Sequence, residues 1–245
     1  MKIAALYDVH GNLPALKAVL DDVRRAGVDE VVIGGDVVPG PMPVECLDAL
    51  HDLSIPQHFI YGNGETDIVA LGRGEELTRV PEHFHDVMRW VVDALEPHHL
   101  EEFASWPLSV RLEVPDLGVV HFCHATPRDD NEIFTRLTPE EKLRPILEPV
   151  EADIVVCGHT HMAFDRHVGH VRVVNAGSVG MPFGDPGAFW CLISDQGILI
   201  RRTMYDLEAA AARLDETGYP SSDYDLRRPL SEDDMLRIFE AAALK

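Results

Sequence analysis

The feature that most constrains the fold is a repeated pattern. Short runs rich in β-branched and aromatic residues each stop at a cluster of oxygen- and imidazole-bearing side chains. Lys2 to Tyr7 stops at Asp8-Val9-His10-Gly11-Asn12, and later runs stop at Gly35-Asp36, Gly62-Asn63-Gly64-Glu65, Cys123-His124 and Gly158-His159-Thr160-His161. Runs of this length and composition read as strands. Between strands at 2–7, 30–34 and 57–61, helical periodicity covers 13–26, closed by Gly27, and 43–53. A βαβαβ run requires a parallel sheet. The clusters then fall where such a sheet presents its strand ends.

From Thr66 to about Ser105 the texture becomes polar and helix-prone, with no strand signal, and reads as a helical insert near the strand ends. Residues 107–114 and 117–122, split by Pro115-Asp116, read as a hairpin, and helix 138–148 leads to strand 153–157. Runs at 163–168, 171–175, 188–194 and 197–203 have the short spacing of antiparallel strands. Two β-rich halves, each needing helices on its outer side, predict a layered α/β sandwich. The tail reads as helices 206–216 and 231–243 joined by a Gly218–Ser222 loop. The expected organisation is one domain over 1–245, with a core at about 1–205, an insert at about 66–105 and a C-terminal helical extension at about 206–245.

Composition narrows the function classes. With 245 residues and 46% apolar content the chain can bury a large core. No apolar stretch approaches the roughly 18 residues a membrane span needs, and a cytoplasmic location is expected. Cys46, Cys123, Cys157 and Cys191 form no CxxC pair, so neither a disulfide framework nor a thiolate zinc site is suggested. The net charge of −21, from 42 acidic and 21 basic residues, repels a phosphate backbone and argues against duplex nucleic acid as a partner.

The donors can be counted. Asp8 and His10 stand at i and i+2, so a chain that stays extended as it leaves its strand would aim both to one side. His159 and His161 share that spacing, and Asp36 follows two glycines, where a carboxylate with two oxygens could bridge two ions. With Asn63 and His124 this makes seven candidate ligands, the number needed by two four-coordinate ions sharing one residue. Imidazole and oxygen donors without thiolate suit manganese or iron, with zinc, nickel or cobalt as further candidates, better than calcium or magnesium.

The ordered set, closed by Asn175-Ala176-Gly177-Ser178-Val179-Gly180, resembles the calcineurin-like metallophosphoesterase superfamily, in particular its small bacterial and archaeal phosphodiesterase-type members. The resemblance spans about residues 1–205. It implies a four-layer αββα sandwich of two mixed sheets. It also implies a dinuclear centre with one ion on Asp8, His10, Asp36 and His161 and the other on Asp36, Asn63, His124 and His159. Many members carry His after the motif Asn, as phosphate ligand or acid, whereas this chain has Gly64. His83, His85, His98 and His99 of the insert are possible replacements.

The implied chemistry is hydrolysis of phosphodiester or nucleotide-type bonds by in-line attack of a metal-bridging hydroxide on a small phosphorylated substrate. Asp36, Asn63 and His124 would serve catalysis as well as metal binding, and Arg128 would clamp phosphate because its loop follows His124. Asn12 and the 175–178 turn would support the site. The competing reading is a catalytically idle scaffold on the same fold.

Overall fold

The computed structural model describes residues 1–220 and 225–245, so Ser221 and Ser222 of the expected tail loop lie outside the described residues. The first half follows the βαβαβ expectation: β1 (Lys2–Leu6), α1 (Leu13–Ala26), β2 (Glu30–Ile33), α2 (Pro43–His51) and β3 (Gln57–Phe59). Helix α1 forms where the sequence signals it. Asn12 caps it by accepting from the Ala15 N–H at 3.1 Å, Pro14 sits in the first turn, and Ala15, Leu16, Val19, Leu20 and Val23 bury one stripe. Gly27 ends it in the left-handed conformation, φ 60°.

Three helices follow: α3 (Asn63–Gly72), α4 (His85–Ala94) and α5 (Pro97–Ser105). The helical stretch starts earlier than Thr66, so Asn63 is the first residue of α3. Ile68, Val69, Met88, Val91 and Phe103 then join the same apolar cluster as α1, α2 and the outer side of β1 and β2. The remaining elements are β4 (Ser109–Val114), β5 (Gly118–Cys123), α6 (Glu140–Leu147), β6 (Ile154–Cys157), β7 (Phe164–Val168), β8 (Val171–Asn175), β9 (Ala188–Ser194), β10 (Gly197–Thr203), α7 (Leu207–Asp215) and α8 (Glu232–Ala242).

The strands form two five-stranded mixed sheets, ordered β10-β9-β1-β2-β3 and β4-β5-β6-β8-β7. In the first, β1, β2 and β3 are parallel while β9 runs antiparallel to β1, with Ala5 opposite Cys191. In the second, β5, β6 and β8 are parallel, and β4 and β7 pair antiparallel on the edges.

Alternation along the strands assigns the layers. Ile3, Ala5, Tyr7, Val120, Phe122, Val156, Val174 and Ile193 fill the space between the sheets. Ala4, Leu6, Val31 and Ile33 face the α1 side, and Val155, Cys157 and Val173 face Leu143 and Leu147 of α6. The result is the αββα order. The ends of β1, β2, β5 and β6 meet along one seam between the two sheets.

Candidate metal centre

Six of the seven expected ligands converge at that seam through direct side-chain proximity. Asp8 Oδ1 lies 3.4 Å from His161 Nε2 and 3.9 Å from both His10 Nε2 and His124 Nε2. The two oxygens of Asp36 face different imidazoles, Oδ2 at 3.7 Å from His10 Nε2 and Oδ1 at 3.7 Å from His124 Nε2. Asn63 Oδ1 is 3.1 Å from His124 Nε2. The seventh, His159, packs its ring edge-on against His124 with centroids 5.2 Å apart. Two groups, Asp8-His10-His161 and Asp8-Asp36-His124, bring their ligand atoms within 4.8 Å of one another.

The backbone reaches this arrangement by a route the spacing did not suggest. Asp8, His10, Asp36, His159 and His161 all adopt left-handed conformations, with φ between 48° and 64°. The extended exit predicted for Asp8 and His10 is therefore replaced by alternating left-handed residues, which turn both side chains inward. Non-glycine residues pay for this conformation, Asp and His less than most, and such outliers gather at functional sites. Tertiary bonds hold the turns: His10 N–H to Asp36 O at 2.9 Å, Asp8 N–H to Gly35 O at 3.1 Å and His159 N–H to Asp8 Oδ2 at 2.9 Å.

Whether a cation fits can be decided from the protons. Nδ1 of His10, His124 and His161 lies 2.9, 2.8 and 2.7 Å from the carbonyl oxygens of Pro39, Gly34 and Met181. A carbonyl can only accept, so each Nδ1 carries the proton and each Nε2 presents a lone pair inward. His10 Nε2 and His161 Nε2 then face each other at 3.0 Å, two acceptors that only a shared proton or a cation reconciles. Asp8 Oδ1 and His159 Nε2 are buried without a hydrogen-bond partner. Buried polar atoms are rarely left so, and the donor set fits divalent ions bound by imidazole and oxygen.

Charge follows the same geometry. Burial raises the Asp8 carboxyl, but His161, His124 and His10 outweigh it and hold Asp8 well below the usual carboxylate range. Burial and the neighbouring His124 push His159 down to about 4, and burial with His161 lowers His10. His124 moves the other way, because Asp36 and Asp8 override its burial.

The profile of the calcineurin-like phosphoesterase superfamily domain matches residues 1–196. The chain belongs to this superfamily. It is 28% identical over 239 residues to an uncharacterized protein of Methanocaldococcus jannaschii, covering 89% of this chain and 93% of that one. It is also 25% identical over 205 residues to the phosphodiesterase YfcE of Escherichia coli, covering 80% and 89%. Among solved structures, a metallophosphoesterase from Sphaerobacter thermophilus superposes with a TM-score of 0.72 at 26% identity, over 93% of this chain and 97% of that one. A hypothetical protein from Pyrococcus horikoshii shares the fold, with a TM-score of 0.78 at 18% identity over 97% of each chain.

The most informative residue missed by sequence reasoning in this phosphoesterase is Glu65. It is fully buried and accepts four backbone N–H groups: Oε2 from Asp36 at 2.8 Å and Gly62 at 2.9 Å, Oε1 from Val37 at 2.7 Å and Val38 at 3.2 Å. One carboxylate thus ties the Asp36 loop to the Asn63 loop. Burial and the Asp36 charge push Glu65 up to about 7, against these donors, which favour the anion. In sequence it passes for an ordinary first-turn acid, and only its place beside Gly62-Asn63 hinted at more.

Gly64, where many family members have His, has no room for a side chain. A Cβ there would lie 2.2 Å from Pro39 Cγ and 2.8 Å from Asp36 Oδ1, and the Gly64 N–H donates to that same oxygen at 2.8 Å. Of the insert histidines, His85 bonds the Val80 carbonyl and His99 accepts from the Glu96 N–H. Arg128 is exposed and its Nε donates to both Glu132 oxygens at 3.0 Å. Asn12 donates to Gly180 O at 2.9 Å, and the Ser178 hydroxyl to Asp8 O at 2.8 Å, so both brace the first ligand run. Cys123 and Cys157 point into the α6-side core, away from the ligands.

Proposed function

We propose that this phosphoesterase hydrolyses phosphodiester or nucleotide-type bonds with two divalent ions held by Asp8, His10, Asp36, Asn63, His124, His159 and His161, Asp36 being shared. The observation that carries the reading is the set of inward lone pairs, fixed by three backbone carbonyls, around two carboxylates. When bound, such ions polarise phosphoryl oxygens and make water nucleophilic near neutral pH. Manganese or iron suits the imidazole and oxygen donors best.

The chain's own residues supply placement. Carbonyl-bound imidazoles cannot rotate, so their lone pairs are preorganised. Asn63 opens helix α3, the positive end of whose dipole favours an anionic phosphate nearby. Arg128 is proposed to exchange Glu132 for a phosphate oxygen when substrate arrives. With no side chain at Gly64 to protonate a leaving group, diesters with stable leaving groups are favoured. The similarity to a phosphodiesterase supports that preference. The partner is a small phosphorylated molecule, not duplex nucleic acid, and four free, buried cysteines suit a reducing cytoplasm.

The test is hydrolysis of a chromogenic phosphodiester by purified protein with added Mn²⁺, beside Asp36→Asn and with metal content measured in both. Activity and bound metal present in the wild type and lost in the variant are expected. Equal rates in the two proteins would overturn the reading.

A further inference from the structure

The C-terminal extension, to which the hydrolytic reading gives no task, grips two loops that border the candidate ligands of the second sheet. Glu232, Leu236, Phe239, Glu240 and Ala243 recur at the spacing of one helix face, and Leu236 and Ala243 are buried. On one side this end of the chain holds the loop after β5, which begins with His124. The Thr135 hydroxyl donates to Glu240 Oε1 at 2.6 Å, the Thr138 hydroxyl donates to the same oxygen, the Leu244 N–H donates to Ile133 O at 3.0 Å, and Arg136 pairs with Glu232. On the other side it holds the loop after β8. There the Gly184 N–H donates to Leu230 O at 2.9 Å, and the rings of Phe239 and Phe183 lie with centroids 6.0 Å apart.

Phe183 carries that grip to a ligand. Its ring stacks on the His161 imidazole, with centroids 5.1 Å apart and planes 18° from parallel. Two residues earlier in the same loop, the Met181 carbonyl accepts the His161 Nδ1 proton at 2.7 Å, and the Met181 N–H donates to the Ser178 hydroxyl at 2.7 Å. The rings of His10 and His124 meet those of fellow ligands, His161 and His159, whereas His161 is also stacked from outside the ligand set. Phe183 is partly exposed and stands outside the three apolar clusters of the described residues, so core burial does not account for its place.

The hydrogen bond at Nδ1 settles which nitrogen of His161 faces inward. The tilt of the ring about that bond is settled by what presses on its face. His161 Nε2 stands 3.4 Å from Asp8 Oδ1 and 3.0 Å from His10 Nε2, so a small tilt moves it relative to both. A functional side chain has to be held within about 0.5 Å and 10 to 20° of its productive place, which takes supporting contacts of this kind.

We propose that Phe183 is a positioning residue for His161, and that helix α8 keeps it in place through Phe239. The proposal rests on the metal-centre reading and gives the C-terminal extension a part in forming that centre.

The experiment has one readout without metal and one with it. In metal-free protein, imidazole ¹⁵N NMR should show His161 as the single Nδ1–H tautomer in wild type and in Phe183→Tyr, which keeps a flat ring. In Phe183→Leu and Phe239→Ala the same signals should move toward a mixture of tautomers. On titration with Co²⁺, followed by visible absorption, Phe183→Leu is expected to bind one of two ions about tenfold more weakly and the other unchanged, with Phe183→Tyr close to wild type. Leu20→Ala, at a buried position about two turns along α1 from Asn12, controls for lost stability. An unchanged His161 spectrum in both Phe183→Leu and Phe239→Ala would overturn the positioning role, whatever the metal does. Co²⁺ affinity that stays at the wild-type value in Phe183→Leu, or falls equally in Leu20→Ala, would overturn it as well. Changed His161 spectra in a protein that takes up no Co²⁺ would sink the metal-centre reading and leave the hold of Phe183 on His161 standing.

Discussion

At the scale of single residues, Glu65 and His121 make opposite demands on a buried polar group. Glu65 satisfies four N–H donors, and Gln in its place would turn an amide NH₂ toward donors that need an acceptor. Because those donors shape both the Asp36 and Asn63 loops, Glu65→Gln is expected to weaken metal binding by about tenfold to a hundredfold. Competition with a chromogenic chelator would measure this; unchanged affinity would show that the loops hold without the staple. His121 accepts from Arg111 Nε at 3.0 Å while its Nε2 is buried without a partner. Burial, reinforced by Arg111, lowers it from 6.5 to about 4. The unfolded chain therefore binds a proton that the folded chain refuses. Stability from this group is complete above pH 6.5 and is lost as pH falls toward 4, by on the order of 2 kcal/mol. Denaturant midpoints of His121→Leu should fall less steeply than wild type across that window.

Elements separated in sequence are joined by Arg79. Its Nε donates to Asp67 of α3 at 3.1 Å and its Nη1 to Asp130 at 2.9 Å, while the Thr66 hydroxyl donates to the other Asp130 oxygen at 2.6 Å. Helix α3, which starts at Asn63, is thereby fixed to the loop that follows His124. Arg79→Ala strands two buried carboxylates. With the guanidinium side chain 34% exposed, the expected loss is discounted to about 2 kcal/mol, or roughly 4 to 8 °C in thermal midpoint. Calorimetric melting checks this, and a shift under 1 °C would contradict it. None of this could be read from sequence, because the partners lie 12 and 51 residues from Arg79. The strands and ligand clusters were legible because their signals are local: a β-branched run, a glycine, a donor. The left-handed turns at Asp8, His10 and Asp36 were not, since the i, i+2 spacing fits an extended chain equally well and only the neighbouring loops select between them. The start of α3 was missed for a related reason: the helical texture reads from Thr66, yet Glu65 reaching back to accept the Gly62 N–H helps start the helix at Asn63.

For the whole molecule, a net charge of −21 opposes the approach of any anionic ester. Screening should relieve that repulsion, so KM for an anionic diester is expected to fall as salt rises from about 20 to about 200 mM, where the Debye length shrinks from roughly 20 to 7 Å. Steady-state kinetics with a fixed Mn²⁺ concentration would test this, and a KM that climbs with salt would point instead to dominant attraction by the bound ions.

The candidate ligands also come from both sheets, Asp8, His10, Asp36 and Asn63 from the ends of one and His124, His159 and His161 from the ends of the other. Each ion would then rivet together two halves that otherwise adhere through side-chain packing and a few buried hydrogen bonds such as Tyr7 OH to Val156 O. Chelation should loosen the entire sandwich along that join, and amide exchange should accelerate in β1 and β6 together.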